Sequence, residues 1–426
     1  MGPERLTTQF ILLRALRWLP IGLVLPFLIL TPQARGLSLA EIGAVFAVHS
    51  AVAIVLEVPS GALADALGRR RIMLVGASLT AVSLLAFALA QDVPAFMASV
   101  ALLAAGRALI SGALEAWYVD ALRLLDPAAP LARGLSRGTA AEAIAMACGS
   151  LAAGAVVAAT SSAGNPDAVF SGYGLAAVIA SATALVYLVA VATLVHEPPA
   201  RAGPDAAEAI GRRTREIIRV ARAEARASVT VRVIFVTGIA WGASLTAVEL
   251  LWQPQLAELL GGAGSGEFAF GALAAAAMLA VAIGAGASPS VGRRLGLRVG
   301  YLVGLAFAAL CIAFTGAPEM PLLFAGLYLL TYLGLGIAEP IHYELLNEAV
   351  GSKARATVIS AESLGAQGGA LLANLGVGAL AAAQGAGLTF AVSGALLALT
   401  TALVAIHLLR DRRPRSNAIE DVSREG

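Results

Sequence analysis

The sequence predicts an all-α membrane protein of twelve transmembrane helices, arranged as two pseudo-symmetric six-helix bundles. Three observations predict it. First, 59% of the 426 residues are hydrophobic and 13% are charged. A soluble domain carries about twice that charged share, so lipid is the solvent for most of this chain. Second, twelve apolar runs are each long enough for a hydrocarbon core that takes about 20 residues to cross. Third, charged and small residues of the first half recur in the second at nearly one offset.

The runs cover 10–31, 40–63, 71–90, 94–120, 138–160, 170–195, 230–258, 268–288, 298–316, 320–345, 357–383 and 387–409. Loop charges test that order. With the N-terminus inside, the inner loops hold Arg69, Arg70 and Arg71; Arg123, Arg133 and Arg137; Arg293, Arg294 and Arg298; and Lys353 and Arg355. The outer loops hold Arg35 alone. That asymmetry places both termini in the cytoplasm, and the plasma (inner) membrane is the expected location. An odd number of spans would scramble it.

The first bundle is expected over 1–195 and the second over 230–409. Residues 196–229 form a cytoplasmic linker with seven Arg. Asp205 and Glu208 stand where they would cap a helix there, and Ile210, Ile217, Val220 and Ala221 share one face, which predicts an amphipathic helix on the inner leaflet. Residues 410–426 are polar and read as a disordered tail.

The halves repeat. Gly68-Arg69-Arg70 returns as Gly292-Arg293-Arg294, 224 residues on, and the same step carries Glu115 onto Glu339. A step of 220 carries Glu142 onto Glu362. In that register Pro289 replaces Asp65.

Composition also excludes. A net charge of +2 gives no basic excess for nucleic acid. Cys148 and Cys311 lie far apart in apolar runs and read as core residues. The four histidines, 49, 196, 342 and 407, have no metal-ligand spacing. No phosphate-binding G-x-x-x-x-G-K loop is present, so neither ATP nor another cofactor is expected.

The most specific motif lies between the second and third runs. Gly61, Asp65, Gly68, Arg69, Arg70 and Arg71 stand in the order G-x-L-x-D-x-x-G-R followed by two basic residues. Asp65 is one helical turn before Arg69 and can pair with it. This stretch resembles the signature of the major facilitator superfamily. The resemblance implies alternating access: two bundles rocking about a central site, with Asp65 and the arginines holding the inward gate. The patterns of drug/proton antiporters are met in part. Gly112 follows Arg107 by five residues rather than four, and no proline follows Gly149 and Gly154.

Charges inside apolar runs are the site candidates, because each costs on the order of 3 kcal/mol at a helix centre. Arg107, Ser111 and Glu115 fall on one face of a continuous fourth helix. A rise of about 12 Å separates Arg107 from Glu115, so each needs another partner or faces the cavity. Glu339, His342 and Tyr343 share a side of the tenth helix, and a histidine beside a carboxylate suits a proton relay. Glu249 precedes Trp252 and Gln253 by one turn. The indole suits an organic cation or an interfacial anchor. Arg17 is a cavity candidate, Arg14 snorkels to the interface, and His49 packs.

The expected activity is proton-coupled export of a small amphipathic organic compound, a drug or secondary metabolite, by a monomer in contact with lipid. An uptake permease is the alternative within transport. The rival outside transport is a membrane-embedded enzyme or a transport-dead scaffold. An enzyme would need a nucleophile–base set or a metal cluster, and the scattered histidines offer no ligand spacing, so no enzymatic activity is expected.

Overall fold

The computed structural model describes residues 2–160, 172–197, 206–262 and 266–410, with the side chains of Asp65, 206–209 and 352–353 outside the described residues. Among the described residues all regular structure is helical. The first half contains α1 (Pro3–Val24), α2 (Leu30–Ala34), α3 (Leu39–Leu67), α4 (Arg69–Leu89), α5 (Val93–Ile110), α6 (Ala113–Leu125), α7 (Leu131–Thr160) and α8 (Gly172–Leu194). A linker helix, α9 (Ala206–Ala227), leads to α10 (Val229–Leu259), α11 (Glu267–Leu295), α12 (Leu297–Thr315), α13 (Pro321–Ala349) and α14 (Ser352–Arg410).

Eleven helical stretches are long and apolar enough to cross a membrane. The last, Ala354–Arg410, has 57 residues, about 86 Å of helix and far more than one bilayer. It breaks at Gly385, where φ is 85° and ψ is 159°, into two arms. Counting its arms separately, the candidate crossings among the described residues number twelve. Two further breaks matter. α1 does not continue to residue 31 but ends in a 3-10 turn, Leu25–Phe27, that contains Pro26. The fourth span is not one helix: Gly112, at φ 75°, separates α5 from α6. A left-handed residue there costs little only for glycine. The break ends the continuous face expected for Arg107, Ser111 and Glu115.

Local chemistry sets the helix starts. Ser38 and Glu41 form a reciprocal cap on α3: Ser38 N–H donates to Glu41 Oε2 at 2.8 Å, and Glu41 N–H to Ser38 Oγ at 3.3 Å. Asp92 caps α5, accepting from Ala95 N–H at 2.9 Å. The Glu197 carboxylate accepts from Arg70 N–H at 2.9 Å at the start of α4.

The repeat is real in space, but its register differs from the one the Gly-Arg-Arg strings suggest. α3 and α11 start at Leu39 and Glu267, α5 and α13 at Val93 and Pro321, so each pair is 228 residues apart. The helix breaks at Gly68 and Gly296 keep that spacing and share one conformation, φ 93° with ψ 139° and φ 79° with ψ 153°. Gly292 lies inside α11, and Arg293 rather than Pro289 stands opposite Asp65 in the repeat. Arg70 and Arg298 are then equivalents. Arg70 donates to the Ala192 carbonyl at the end of α8 at 2.7 Å. Arg298 donates to the Leu408 carbonyl at the end of α14 at 3.0 Å. Each guanidinium occupies the negative end of its bundle's last helix.

The linker helix differs from its expected placement. Ile217 is 5% exposed and Val220 packs on the core, because α9 lies across α3, α10 and the first arm of α14. Its apolar stripe covers protein rather than lipid. The caps expected from Asp205 and Glu208 lie outside the described residues.

Candidate functional site

The halves enclose a central cavity of about 460 Å³. Trp18, Phe46, His49, Arg107 and Met146 line it from the first half, and Trp241, Glu249, Trp252, Tyr328, Tyr332 and Asn374 from the second. Two opposite charges thus face one space from different bundles. Arg107 and Glu249 act on each other electrostatically, yet no ion pair within 4.0 Å joins them among the described residues. Rings gather near Glu249: Trp252 to Tyr328 is 5.2 Å between centroids, and Tyr328 to Tyr332 is 4.9 Å. Trp252 is 2% exposed, which removes the interfacial-anchor reading and leaves it in the cavity wall. His49 also lines this space rather than only packing.

At the end of the cavity far from the basic loops, Gln253 ties the two halves together. Where α1 breaks, backbone groups lose their helical partners. Gln253 of α10 takes three of them. Its Oε1 accepts from Ile29 N–H at 2.9 Å and from Leu30 N–H at 3.3 Å, and its Nε2 donates to the Leu25 carbonyl at 2.9 Å. Two tight seams flank this lock. Gly43 of α3 packs on the Asn374 carbonyl of α14. A Cβ on Gly271 of α11 would stand 2.8 Å from Gly154 Cα of α7. Only glycine permits that approach.

The first half holds a half-buried charge cluster. Arg14 bridges Glu115 of α6 and Glu142 of α7, the latter at 2.6 Å. Arg17 reaches Glu115 at 4.0 Å. Arg14 is thus drawn inward by two carboxylates instead of snorkelling. Glu115 belongs to this cluster, while Arg107, beyond the Gly112 break, belongs to the cavity.

The second half holds a chain of polar groups across four spans, hydrogen-bonded from Thr237 to His342 and closed by a longer approach to Glu362. Thr237 and Tyr301 hydroxyls lie 2.7 Å apart, Tyr301 OH is 3.3 Å from His342 Nδ1, and His342 Nε2 is 3.8 Å from Glu362 Oε1. Glu339 is exposed and acts electrostatically on Glu362. Hydroxyl, imidazole and carboxylate in series can pass a proton.

At the basic end Arg69 pairs with Asp120 of α6 at 2.6 Å. The Asp65 side chain, and its expected contact with Arg69, lie outside the described residues. Gly61 meets the linker: a Cβ there would lie 2.9 Å from the guanidinium carbon of Arg213. Arg71 is exposed.

The family model described as Major Facilitator Superfamily matches residues 10–290, more than half of the chain. The chain belongs to the Major Facilitator Superfamily. No curated protein matches it. Two solved structures resemble it in fold. The nucleoside transporter NupG superposes with a TM-score of 0.72 at 14% identity, over 95% of this chain and 98% of that one. A POT family transporter, solved in complex with 5-aminolevulinic acid, gives 0.73 at 12% identity, over 96% and 97%.

Several side chains that the structure of this facilitator brings into contact escape sequence reasoning. Gln253 reads as a neutral residue beside Glu249 until the α1 break comes within its reach. Glu362 reads as a helix-entry carboxylate until His342 arrives from α13. Asp120 stands at the very end of the fourth apolar run, and nothing in its spacing points to Arg69. The signal for the α1 break was present in Pro20 and Pro26 of the first run.

Proposed function

We propose that this facilitator is a secondary transporter that works by alternating access. Its basic end is cytoplasmic and its Gln253-sealed end is extracytoplasmic. The observation that carries the reading is the shared cavity: Arg107 from one half and Glu249 from the other face one space, so relative movement of the halves changes the charge a ligand meets. A ligand that satisfies both charges stabilises a closed state, and its differential affinity drives the population shift. The aromatic wall of Trp252, Tyr328 and Tyr332 suits an amphipathic organic solute.

The Glu362–His342–Tyr301–Thr237 chain, with Glu339 beside it, is the proposed proton-coupling site, which makes the transporter proton-driven. Asp65 and the Arg69–Arg71 cluster form the proposed inner gate, with Asp120 and the linker's Arg213 as further contacts. Export of the solute is the proposed direction. Everted vesicles test it: an imposed proton gradient, acid inside, should concentrate a fluorescent amphipathic dye in the vesicle lumen. Depletion of the dye from the lumen would favour uptake. The opposite charges of Arg107 and Glu249 also favour a zwitterionic solute, and the resemblance to a transporter seen with 5-aminolevulinic acid agrees with that chemistry.

A further inference from the structure

We propose that the first half holds a site for one small monoanionic group, a halide ion or a carboxylate, between Arg17, Arg107 and Tyr187. These residues line a side pocket that shares Trp18 and Arg107 with the central cavity.

Charge carries the argument first. Around the pocket three guanidiniums meet two carboxylates. Arg14 holds both Glu115 and Glu142, and Arg17 reaches Glu115 only at 4.0 Å. Arg107 has no carboxylate within 4.0 Å among the described residues. One positive charge is therefore left over in a low-dielectric interior, where an uncompensated charge is costly. Glu249 faces Arg107 from the opposite half and offsets this charge only at longer range.

Hydrogen bonding agrees. The Tyr187 hydroxyl is buried, with the residue 1% exposed, and has no partner. The buried Trp18 indole N–H also lacks an acceptor. The Trp18 ring lies against both guanidiniums, 5.5 Å from Arg17 and 5.3 Å from Arg107. Thr80 in the same wall already gives its hydroxyl hydrogen to the Gly76 carbonyl at 2.9 Å. The side chains lining the pocket present N–H and O–H donors and include no carboxylate, the unpartnered Glu115 Oε2 lying outside that lining, and buried donors are rarely left so. A water would satisfy Tyr187 but leave the surplus charge.

Size narrows the ligand. The pocket has room for about one water-sized group. Phosphate and sulfate are too large. One oxygen of a carboxylate fits while its body stays in the central cavity, and a halide, being larger than water, enters only as the long Arg17 and Arg107 side chains shift outward. The carboxylate case rests on that cavity being the substrate path. The halide case does not.

The test uses purified full-length protein in lipid nanodiscs. Sodium chloride, bromide or acetate replaces sodium gluconate at constant ionic strength, and unfolding temperature and tryptophan fluorescence are followed. A bound anion should raise the unfolding temperature by about 2–4 °C at saturation. Tyr187→Phe, which removes only the hydroxyl, should weaken the apparent affinity about 10-fold. Arg107→Gln should abolish the response. A halide response of this kind assigns a free-ion site, and a response to acetate but not to halide assigns the carboxylate of a substrate. Identical curves in all anions and gluconate, or an unaltered titration in Tyr187→Phe, would overturn the proposal. No transport is measured, so that failure leaves the alternating-access reading standing.

Discussion

Replacing Gln253 by leucine should open the extracytoplasmic end. Leucine keeps most of the side-chain volume and removes all three hydrogen bonds to the broken end of α1, at 2.9, 3.3 and 2.9 Å. Each is worth roughly 0.5–1.5 kcal/mol net, the long one least. The closed state also keeps two buried amides without partners and leaves the Leu25 carbonyl only its long 3.5 Å bond from Leu28 N–H, whereas water reaches all three in the open state. The closed state should lose about 2–4 kcal/mol relative to the open one, a shift of roughly 30- to 1000-fold in the equilibrium. A closed-to-open ratio of about 100 would then fall to about three or below. The assay is a spin-label distance between cysteines at Gln33 and Glu258, which line the two sides of that end. The background lacks Cys148 and Cys311. Wild type should show one short distance, and Gln253→Leu should add a longer population of about a quarter or more. An unchanged distribution in a folded variant would refute the lock and the energy assigned to it.

Four further outcomes are expected. Gly271→Val places side-chain carbons against Gly154 and Ser150, so it should cost the closed seam about 1–3 kcal/mol and lengthen the same spin-label distance without Gln253 being touched. Glu362→Gln should abolish transport driven by a pH gradient while leaving substrate counterflow, and gradient-driven transport at the wild-type rate would remove Glu362 from proton coupling. Arg14→Met strands Glu115 and Glu142, whose side chains are 30% and 21% exposed, and should cost about 2 kcal/mol of stability in denaturant unfolding. Adding Glu115→Gln should recover part of that loss, and strict additivity would contradict the pairing. Asp120→Asn should change stability by less than about 1 kcal/mol, because the Asp120 side chain is 62% exposed where it meets Arg69.

Much of the fold was legible because bilayer thickness sets helix length and loop arginines set the order of crossings. The breaks were harder. The fourth run keeps helical spacing through Ser111 and Gly112, and periodicity alone cannot show that Gly112 takes φ 75°. For the same reason the Gly-Arg-Arg string at 292–294 pointed to a repeat four residues out of register. A positive-φ glycine, not the charge beside it, ends the helix, and that glycine is Gly296. Isolated charges in apolar runs did locate the interesting places, since Arg107 and Glu249 both reach the cavity. Their partners came from elsewhere in the chain. Arg14 finds Glu115 across 101 residues and Glu142 across 128, and Gln253 finds Ile29 across 224. No local pattern carries such pairings, because tertiary packing brings them together.

The central claim is that one cavity serves both sides of the membrane in turn. A single cysteine at Ala370, in the cavity wall, tests it most directly when a membrane-impermeant maleimide is applied from either side of sealed vesicles of known orientation. Labelling from both sides is predicted, with Gln253→Leu raising the extracytoplasmic rate and lowering the cytoplasmic one. Labelling from one side alone, unmoved by Gln253→Leu, would contradict the account.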